Sequence, residues 1–401
     1  MRFIHTGDWH LGRLFHNLHL TDDQRYTLEG LLRLAEEEEV DAVVIAGDVY
    51  DRAVPPTPAV ELLDDVLAEL VLRLQIPVVM IAGNHDSPVR LQYLNGLIGR
   101  VGAHVVGEVA PEPQGVTLTG RDGVPVAFWP LAYTDPETAR YVLGRDDIHT
   151  HEAVLTAQLD SIRERIAAGG GLPDGTARGG VPAGAAAARQ VIVGHAFVTG
   201  AATSESERPL SVGGSGEVSH EVFDGFDYVA LGHLHRPQRV SERVRYAGSL
   251  LKYSFDECDH RKSVSIVELG ADGSIVVEQA ELPVRHDLVR LRGSFTELME
   301  RADAPEFAEA YVEVTLTGGE AVLDPMERLR DVYPHILSLR REELTGTGGP
   351  GPGPAVRSRT TGELFWEFYA DVTGGVMTEA QAAEVTGALT ALGRDEREVV
   401  S

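Results

Sequence analysis

Polar side chains that could bind metal ions follow five short apolar runs of the sequence, at the point where each run ends. Carboxylate and amide oxygens suit harder divalent ions such as manganese, whereas imidazole nitrogens suit the later first-row metals. A mixed set of Asp, Asn and His therefore predicts a site for two divalent first-row ions. The motifs are Gly7-Asp8-Trp9-His10, Gly47-Asp48-Val49-Tyr50-Asp51, Gly83-Asn84-His85-Asp86, Gly194-His195 and Gly232-His233-Leu234-His235.

A pair of such ions performs a particular kind of chemistry. Held about 3.5–4 Å apart, they clamp the attacking and leaving oxygens of an in-line phosphoryl displacement and activate a water molecule near neutral pH. Each motif by itself is weak evidence for a metal site, because Asp-x-His and Gly-His pairs recur by chance. The Asn-His pair is stronger evidence, because burying these polar side chains costs free energy unless they have a function. The five motifs together predict a two-metal phosphoester hydrolase.

The apolar runs before these motifs predict buried strands, and helical patterns lie between them, which is typical of a layered α/β domain. In an open α/β sheet the carboxyl ends of the strands converge on one crevice, so the polar residues are delivered to a shared site. Glycine before each ligand permits a tight turn and a close backbone approach. The predicted strands cover residues 2–8, 42–48, 78–84, 190–197 and 227–235.

Local signals predict further elements. Thr21-Asp-Asp-Gln24 has the pattern of a capping box, and Ser87-Pro88 places a cap residue before proline at the first helical position. Residues 263–269 and 274–282 predict two strands that complete a second sheet. Residues 168–190 are rich in glycine, alanine and proline, which predicts a flexible surface insertion.

The charge balance limits the substrate. The chain has 35 basic and 62 acidic residues, a formal net charge of −27. Affinity for a polyanion comes largely from local cations that neutralise phosphates, so unaided binding to nucleic acid is disfavoured. Bound metal ions, a local basic patch or a basic partner could supply the attraction. The substrate is therefore either a small phosphoester or DNA that is held with such help.

Location and cysteine usage are also informative. The first residues lack a positive n-region and a long apolar stretch, so no signal peptide is predicted. No apolar run reaches the roughly 18 residues needed to span a bilayer. The single cysteine, Cys258, excludes an internal disulfide and a cysteine-built zinc site. These features predict a cytoplasmic protein.

The five motifs resemble those of the calcineurin-like metallophosphoesterase superfamily, which run D-x-H, G-D, G-N-H, G-H and G-H-x-H. All five are intact over residues 7–235. The similarity is greatest to the nuclease subunits of bacterial SbcCD complexes. It rests on HTGDWHLGR, GDVYDR, GNHDSP, VALGHLHRPQ and YAGSLLKYSFDE, and on the overall length.

The resemblance also implies roles for individual residues. His85 would not be a ligand but would lie beside the scissile phosphate and stabilise or protonate the leaving oxygen. Asp51 would orient this histidine. Arg52 is either an ordinary surface residue before a helix or a clamp on phosphate or DNA. One metal ion would be bound by Asp8, His10, Asp48 and His235, and the second by Asp48, Asn84, His195 and His233.

The same resemblance implies an architecture. Residues 1–283 would form a two-sheet α/β nuclease domain and 284–344 a smaller α/β capping domain. Residues 345–360 would form a linker and 361–401 a helical arm that docks on the ATPase partner SbcC. Aromatic residues of the arm are exposed unless a partner or the capping domain covers them. The apolar cluster that contains these aromatic residues is Leu364, Phe365, Trp366, Phe368 and Tyr369.

The implied activity is cleavage of DNA that depends on two divalent metal ions, expected to be Mn²⁺. The protein would act as a double-strand exonuclease and as a hairpin or single-strand endonuclease in DNA end processing, repair and recombination. Two copies would form a dimer within a heterotetramer. Helices after the second and third motifs would supply the dimer contact, although core packing explains about half of the candidates equally well. These candidates are Leu62, Leu63, Val66, Leu91, Tyr93, Leu94 and Leu97.

Two other functions are compatible with the motifs. The same fold could hydrolyse a small-molecule or phosphoprotein substrate, since fold alone does not fix function. Such an enzyme has no evident use for the C-terminal third of the chain. A non-catalytic scaffold of the ATPase complex is the other alternative, and the intact ligand set argues against it.

Overall fold

The computed structural model describes most of the chain. The described residues are 1–168, 188–207, 210, 216–301, 307–318, 322–342, 366, 369, 377–378 and 380–387. They fall into two units, 1–342 and 343–401. The insertion predicted at 168–190 lies outside the described residues except at its ends. The linker predicted at 345–360 and most of the arm predicted at 361–401 also lie outside them.

The strands of the first unit are numbered in chain order. They are β1 (Arg2–Thr6), β2 (Leu14–Phe15), β3 (Leu18–His19), β4 (Ala42–Ile45), β5 (Val78–Ile81), β6 (Ala103–Val106), β7 (Val116–Thr119), β8 (Pro125–Leu131), β9 (Arg189–His195), β10 (Phe197–Val198), β11 (Glu217–Val218), β12 (Tyr228–Gly232), β13 (Gln238–Arg239), β14 (Val244–Tyr246), β15 (Ser263–Leu269), β16 (Ile275–Glu281), β17 (Leu288–Gly293), β18 (Tyr311–Leu316) and β19 (Ile336–Arg341).

The α-helices are numbered in the same way, and short π and 3₁₀ turns are added. The helices are α1 (Thr21–Glu37), α2 (Thr57–Ala68), α3 (Pro88–Leu91), α4 (Asn95–Ile98), α5 (Pro136–Leu143), α6 (His151–Ala167), α7 (Phe295–Glu300) and α8 (Pro325–Arg330). A π-helix covers Glu69–Arg73, and 3₁₀ turns cover Gly99–Val101, His220–Phe223 and Phe255–Glu257. Among the described helices, none is both long enough and apolar enough to cross a membrane.

Two six-stranded sheets lie face to face. The first has the order β16-β15-β1-β4-β5-β6 and the second β13-β14-β12-β9-β8-β7. Apolar side chains such as Phe3, Val44 and Ile81 from the first sheet meet Phe128 and Val193 from the second in one buried cluster. The rings of Phe3 and Phe128 pack edge to face at 5.4 Å. The layered two-sheet α/β fold predicted from the sequence is therefore confirmed.

Helices cover the outer face of each sheet. Leu28 and Leu31 of α1, with Leu62 of α2, pack on strands of the first sheet. Leu155 and Leu159 of α6 pack on the second sheet. Burial of each apolar side chain contributes about 1.5–3 kcal/mol. These helix layers fix the sheets so that the carboxyl ends of their parallel strands share one edge of the molecule.

The later strands β15 and β16 form as predicted, but they join a different sheet from the one expected. The prediction that they complete a second sheet is wrong, because β15 pairs antiparallel with β1 and so extends the first sheet. Val264 and Ile266 of β15 face the helices, whereas Val267 and Leu269 face the second sheet. Strand β4 pairs with only one edge of β1, and β15 provides hydrogen-bond partners for the other edge. Because β15 is apolar on both faces, it can be buried between the helices and the second sheet.

The described residues between 288 and 341 form a β-α-β-α-β segment. Strands β17, β18 and β19 form a parallel sheet in that order. Leu298 of α7 and Leu329 of α8 pack with Val312 and Tyr333 in a separate apolar cluster. Helix α7 begins with a capping box formed by Ser294 and Glu297.

The helix starts show one confirmed prediction and one error. Helix α3 begins at Pro88 with Ser87 as its N-cap residue, as predicted. The predicted capping box at Thr21 is wrong, because Thr21 is already helical and Leu20 is the N-cap, with no side-chain cap hydrogen bond. The carboxamide of Gln24 is used elsewhere. It donates to the carbonyl oxygens of Trp9 (3.0 Å) and His10 (2.8 Å).

Candidate two-metal site

The predicted ligands converge at one edge shared by both sheets. Strands β1, β4 and β5 of the first sheet run parallel, as do β9 and β12 of the second. Each strand is followed by, or ends in, one of the five motifs, so their polar residues meet at the carboxyl ends. The residues brought together are Asp8, His10, Asp48, Asn84, His85, His195, His233 and His235.

Four of these residues have backbone conformations that are rare for residues other than glycine. The φ angles are 50° at Asp8, 45° at His10, 47° at Asp48 and 101° at His233. Such conformations cost about 1–3 kcal/mol each and persist only where the surroundings impose them. Here the amides of Asp8 and His10 donate to the carbonyls of Gly47 (3.0 Å) and Asp48 (2.9 Å). The strain is concentrated at the predicted ligands, which is typical of a functional site.

Glycine is required beside the ligands, as the sequence predicted. Gly47 has a φ of +90°, and a Cβ there would lie 2.5 Å from Nδ1 of His195. A Cβ at Gly83 would collide with the backbone amide and the carboxylate of Asp48. Any larger residue at either position would push the loops that follow β4 and β5 apart.

The first group of donor atoms surrounds the position predicted for one ion. Nε2 of His10 lies 3.0 Å from Nε2 of His235 and 3.7 Å from Oδ2 of Asp48. Asp8, His10 and Asp48 each offer one donor atom, and these atoms lie within 4.8 Å of one another. All four side chains are buried. This is the set expected to bind the first ion.

The second group lies on the other side of Asp48. Oδ1 of Asn84 lies 2.9 Å from Nε2 of His195 and 3.2 Å from Nδ1 of His233. Oδ2 of Asp48 lies 3.5 Å from Nε2 of His195. Asp48 thus contributes to both groups, which is the geometry that a bridging carboxylate requires.

In two of the histidines, hydrogen bonds to the outer nitrogen explain why the inner nitrogen faces the site. Nδ1 of His195 lies 2.9 Å from the carbonyl oxygen of Ala46, and Nδ1 of His235 lies 2.6 Å from Oγ of Ser206. A metal-binding histidine typically uses its second nitrogen in this way, which fixes its tautomer and orientation. Nδ1 of His10 has no hydrogen-bond partner among the described residues. The donor set therefore fits a pair of divalent cations.

Burial dominates the electrostatics of the site. It raises the pKa of Asp8 and lowers the pKa values of His10 and His233. Burial also opposes charge on His195, but the carboxylates of Asp48 and Asp8 raise its pKa to about 9. The pKa of Asp48 stays low despite burial because His195 and His10 surround it. Negative charge is thus concentrated at Asp48, and a divalent cation would neutralise it while displacing the imidazolium proton of His195.

His85 and Asp51 lie at the mouth of the site. Nε2 of His85 lies 3.9 Å from Oδ2 of Asp48, and its Nδ1 lies 2.8 Å from the main-chain carbonyl oxygen of Asp51. The contact between these two residues thus uses the backbone of Asp51. The carboxylate of Asp51 instead accepts a hydrogen bond from Arg13 at 2.8 Å. Arg52 is exposed in the loop before α2.

One supporting residue that the sequence reasoning did not single out is Asp86. Its buried carboxylate accepts hydrogen bonds from the amides of Val49 (3.0 Å), Tyr50 (2.8 Å) and Gly83 (2.9 Å). Burial and the nearby charge of Asp48 raise the pKa of Asp86 to about 7. Asp86 therefore ties the loop after β4 to the loop after β5. Its position directly after Asn84-His85 was the available signal.

A second supporting group lies behind His235. Nζ of Lys262 donates to the carbonyl oxygen of His235 (2.7 Å) and to Oγ of Ser249 (2.9 Å) and pairs with the buried carboxylate of Glu257. Glu257 also accepts a hydrogen bond from Ser206, the partner of Nδ1 of His235. Lys262 is one of only two lysines in the chain, which could have marked it.

Replacing Glu257 with glutamine should weaken both stability and metal binding. The change leaves the buried ammonium of Lys262 without its counter-charge, which costs about 3–5 kcal/mol of unfolding free energy. Loss of the support behind His235 should lower metal affinity about 10–100-fold. Denaturant unfolding and calorimetric titration with Mn²⁺ measure the two effects. Glu205→Gln, at an exposed position nearby, is the matched control, and unchanged metal affinity in Glu257→Gln would contradict the prediction.

Comparison with known proteins agrees with this geometry. Residues 1–237 match the calcineurin-like phosphoesterase family. Residues 284–373 match the SbcD_C family, described as the type 5 capsule protein repressor C-terminal domain. Since the first match spans more than half of the chain, the protein belongs to the calcineurin-like phosphoesterase family. The two matches together are those of an SbcD-type chain, which is a hydrolase of phosphoester bonds.

Two solved structures are remotely similar. One is TT1561 of Thermus thermophilus, with 12% identity and a TM-score of 0.37, covering 69% of this chain and 98% of that one. The other is GAP50, the anchor in the inner membrane complex of Plasmodium, with 12% identity and a TM-score of 0.38, covering 88% of this chain and 99% of that one. Neither similarity is close enough to bear on the substrate.

Proposed function

We propose that this protein is a manganese-dependent DNA nuclease of the cytoplasm. It hydrolyses phosphodiester bonds as a double-strand exonuclease and as a hairpin or single-strand endonuclease. It acts with the ATPase SbcC in DNA end processing, repair and recombination. The observation that carries the proposal is the convergence of all seven predicted ligands in a chain whose residues 284–373 also match the SbcD C-terminal domain.

The ligand roles proposed here follow the two donor groups. Two divalent ions, when bound, supply Lewis-acid stabilisation to the attacking and leaving oxygens of the phosphodiester. Asp48 lies between the two groups and holds them at a fixed separation. The first ion is assigned to Asp8, His10, Asp48 and His235, and the second to Asp48, Asn84, His195 and His233.

His85 is proposed to act on the leaving group. The carbonyl oxygen of Asp51 can only accept, so the 2.8 Å contact fixes Nδ1 of His85 as a donor. Nε2 is then the nitrogen that faces the site, and when protonated it can donate to the departing oxygen. Asp51 is a positioning residue in this scheme. The carboxylate of Asp51 forms an ion pair with Arg13, and both side chains are largely buried.

A nuclease assay tests the proposal directly. The purified chain, with and without SbcC, is incubated with a hairpin DNA and Mn²⁺. Manganese-dependent cleavage that ATP and SbcC increase is expected, and EDTA should abolish it because the proposed mechanism needs both divalent ions. A chromogenic phosphomonoester is the control substrate. Rapid hydrolysis of that monoester without any DNA cleavage would favour a small-molecule phosphatase and overturn the proposal.

The C-terminal arm is proposed to dock on the SbcC coiled coil through its aromatic residues. Most of the arm lies outside the described residues, but Trp366 is helical and 45% exposed. Exposed aromatic side chains often mark interaction sites and carry much of the binding energy. We propose residues 284–344 as the capping domain, 345–360 as the linker and 361–401 as this arm.

Truncation at residue 355 should abolish co-purification with SbcC and ATP-stimulated cleavage, because it removes the proposed docking helix. Metal binding and basal hydrolysis of a small chromogenic phosphodiester should be unchanged. Trp366→Ala should weaken co-purification, while Tyr141→Ala, at a position that is 88% exposed, serves as its control. Retained co-purification would exclude the arm as the main docking site. Loss of basal activity would instead indicate an arm that packs on its own capping domain.

A second copy of the chain is proposed to cover an apolar surface beside α3 and α4. Of the seven candidates for the dimer contact, Leu62, Leu63, Val66 and Leu91 are buried and belong to the core. The other three are Tyr93, Leu94 and Leu97, exposed by 73%, 48% and 65%. An exposed apolar cluster of this kind is typical of an interface.

Leu97→Asp should convert the dimer to a monomer, because a carboxylate in an apolar contact is left without a partner. Light scattering on purified protein measures the mass. Leu323→Asp, at a leucine outside this surface that is 81% exposed, is the control and should leave the mass unchanged. A Leu97→Asp protein of dimeric mass would place the contact elsewhere.

A further inference from the structure

A second group of side chains that could bind a metal ion lies outside the five motifs, at the amino-terminal edge of the small parallel sheet. His286 precedes β17 by two residues, Glu309 precedes β18 by two, and His335 directly precedes β19. Parallel strands begin at the same edge of a sheet, so the three residues are neighbours. Each offers one donor atom, and these atoms lie within 4.8 Å of one another.

The ring of His286 is held with one nitrogen available. Its Nδ1 lies 2.5 Å from the carbonyl oxygen of Glu309, which can only accept, so Nδ1 is a donor. This is the arrangement that metal-binding histidines commonly adopt with their second nitrogen. The side chain of His286 is only 8% exposed and packs between Tyr311 and His335, with ring centroids 4.8 and 4.9 Å away.

A buried carboxylate oxygen faces the other nitrogen of this ring. Asp23 of α1 is 4% exposed, and its Oδ1 has no hydrogen-bond partner among the described residues. Oδ1 of Asp23 lies 4.0 Å from Nε2 of His286, while its Oδ2 accepts a hydrogen bond from Tyr311 at 2.9 Å. Oδ1 of Asp23 and Nε2 of His286 thus face one another without a hydrogen bond between them. A cation between the two atoms would give both a partner.

We propose that His286, His335 and Glu309 form a binding site for a late first-row divalent cation, most suitably Zn²⁺, with Asp23 as the buried carboxylate that faces it, and we call this the seam site. Imidazole and carboxylate are common zinc ligands, with bonds of about 2.0–2.2 Å and therefore donor separations of about 3.3–3.5 Å in a tetrahedron. The donor atoms of His286, Glu309 and His335 lie within 4.8 Å of one another, so the group has to close by no more than about 1.5 Å to reach such separations. Glu309, with a side chain that is 79% exposed, has the freedom to do so.

The seam site joins two parts of the first unit. Asp23 belongs to the helix that covers the first large sheet, whereas the other three residues belong to the small parallel sheet. Asp23, His286 and Tyr311 also line a cavity of about 280 Å³, which gives an ion and its remaining water ligands room to enter. A bound ion would thus fix the small sheet against α1. The inference does not depend on the nuclease proposal, since it concerns other residues and another readout.

Counting zinc tests the seam site. The full chain and its His335→Gln variant are equilibrated with Zn²⁺, desalted and measured by elemental analysis and calorimetry. The variant should bind one ion fewer per chain, and its affinity at this site should fall by more than the roughly 10–100-fold that loss of an outer-shell partner costs. His220→Gln, at an exposed histidine outside both metal-binding groups, should bind as many ions as the full chain.

The zinc measurement is repeated after Asp48→Ala has been introduced into the full chain and into the His335→Gln variant. The two-metal site then contributes little to the number of zinc ions counted in each protein. Zinc should raise the thermal midpoint of the Asp48→Ala protein but not that of the double variant, since a ligand stabilises only the state that binds it. Glu309→Gln alters only an exposed side chain and should weaken zinc binding even if His335→Gln fails to fold. Equal zinc counts in all variants would overturn the proposal.

Discussion

Replacing Asp48 with alanine should abolish DNA cleavage and remove both metal ions. Its Oδ2 lies 3.7 Å from His10 and 3.5 Å from His195, so this single carboxylate serves both donor groups. It is also the negative charge that holds the proton of His195, and no other described carboxylate lies in both groups. The two-metal mechanism depends on both ions, and activity should fall to the background of the assay.

The fold should survive this substitution. Oδ1 of Asp48 accepts a hydrogen bond from the amide of His85, whose loss costs about 1–3 kcal/mol, but removal of a buried charge offsets part of that cost. Elemental analysis, Mn²⁺ calorimetry and circular dichroism measure the outcome. Asp64→Ala, at an exposed aspartate of α2, is the matched control. A folded Asp48→Ala protein with near-normal manganese-dependent cleavage would refute the site assignment.

His85→Ala should separate metal binding from catalysis. Nε2 of His85 lies 3.9 Å from Asp48, and neither donor group needs His85 to complete its set. Both ions should therefore stay bound with little change in affinity. The rate should nevertheless fall about 10²–10⁴-fold, the usual contribution of a positioned acid–base group. Most of the loss should appear in kcat, because the leaving oxygen gains charge only in the transition state.

Single-turnover cleavage of hairpin DNA and metal analysis of the same His85→Ala preparation check this prediction. His104→Ala is a suitable control, since this histidine lies on β6 and outside the site. Loss of an ion from His85→Ala would show that His85 is a ligand and overturn its role. Unchanged cleavage would show that the leaving group needs no help from this side chain.

The convergence of the candidate ligands could be predicted from the sequence because their local pattern depends on short-range geometry. An apolar strand, a glycine and a polar residue occupy adjacent positions, and parallel strands bring such ends to one edge whatever the rest of the fold does. The left-handed conformations of Asp8, His10 and Asp48 are the local expression of those tight turns. For the same reason, the alternation of strands and helices was sufficient to predict the layered α/β class.

Only the tertiary structure decided which distant groups support these residues. Asp86, Glu257 and Lys262 act through contacts across many residues of sequence, and nothing in their immediate neighbours specifies those partners. The pairing of β15 with β1 was likewise decided by the tertiary structure. A strand that is apolar on both faces could join either sheet, and its own sequence does not specify which strand it pairs with.

The sequence also could not predict which apolar side chains of the outer helices are buried and which are exposed. Leu62 and Leu97 both lie at apolar positions of predicted helices, yet one is buried in the core and the other is 65% exposed. Helical periodicity identifies an apolar face but not the element that packs on it. Likewise, His286, Glu309 and His335 lie far apart in the sequence and meet only because three parallel strands begin at one edge, opposite a carboxylate of α1. Strand order and helix placement, which arise from long-range packing, decided those neighbours.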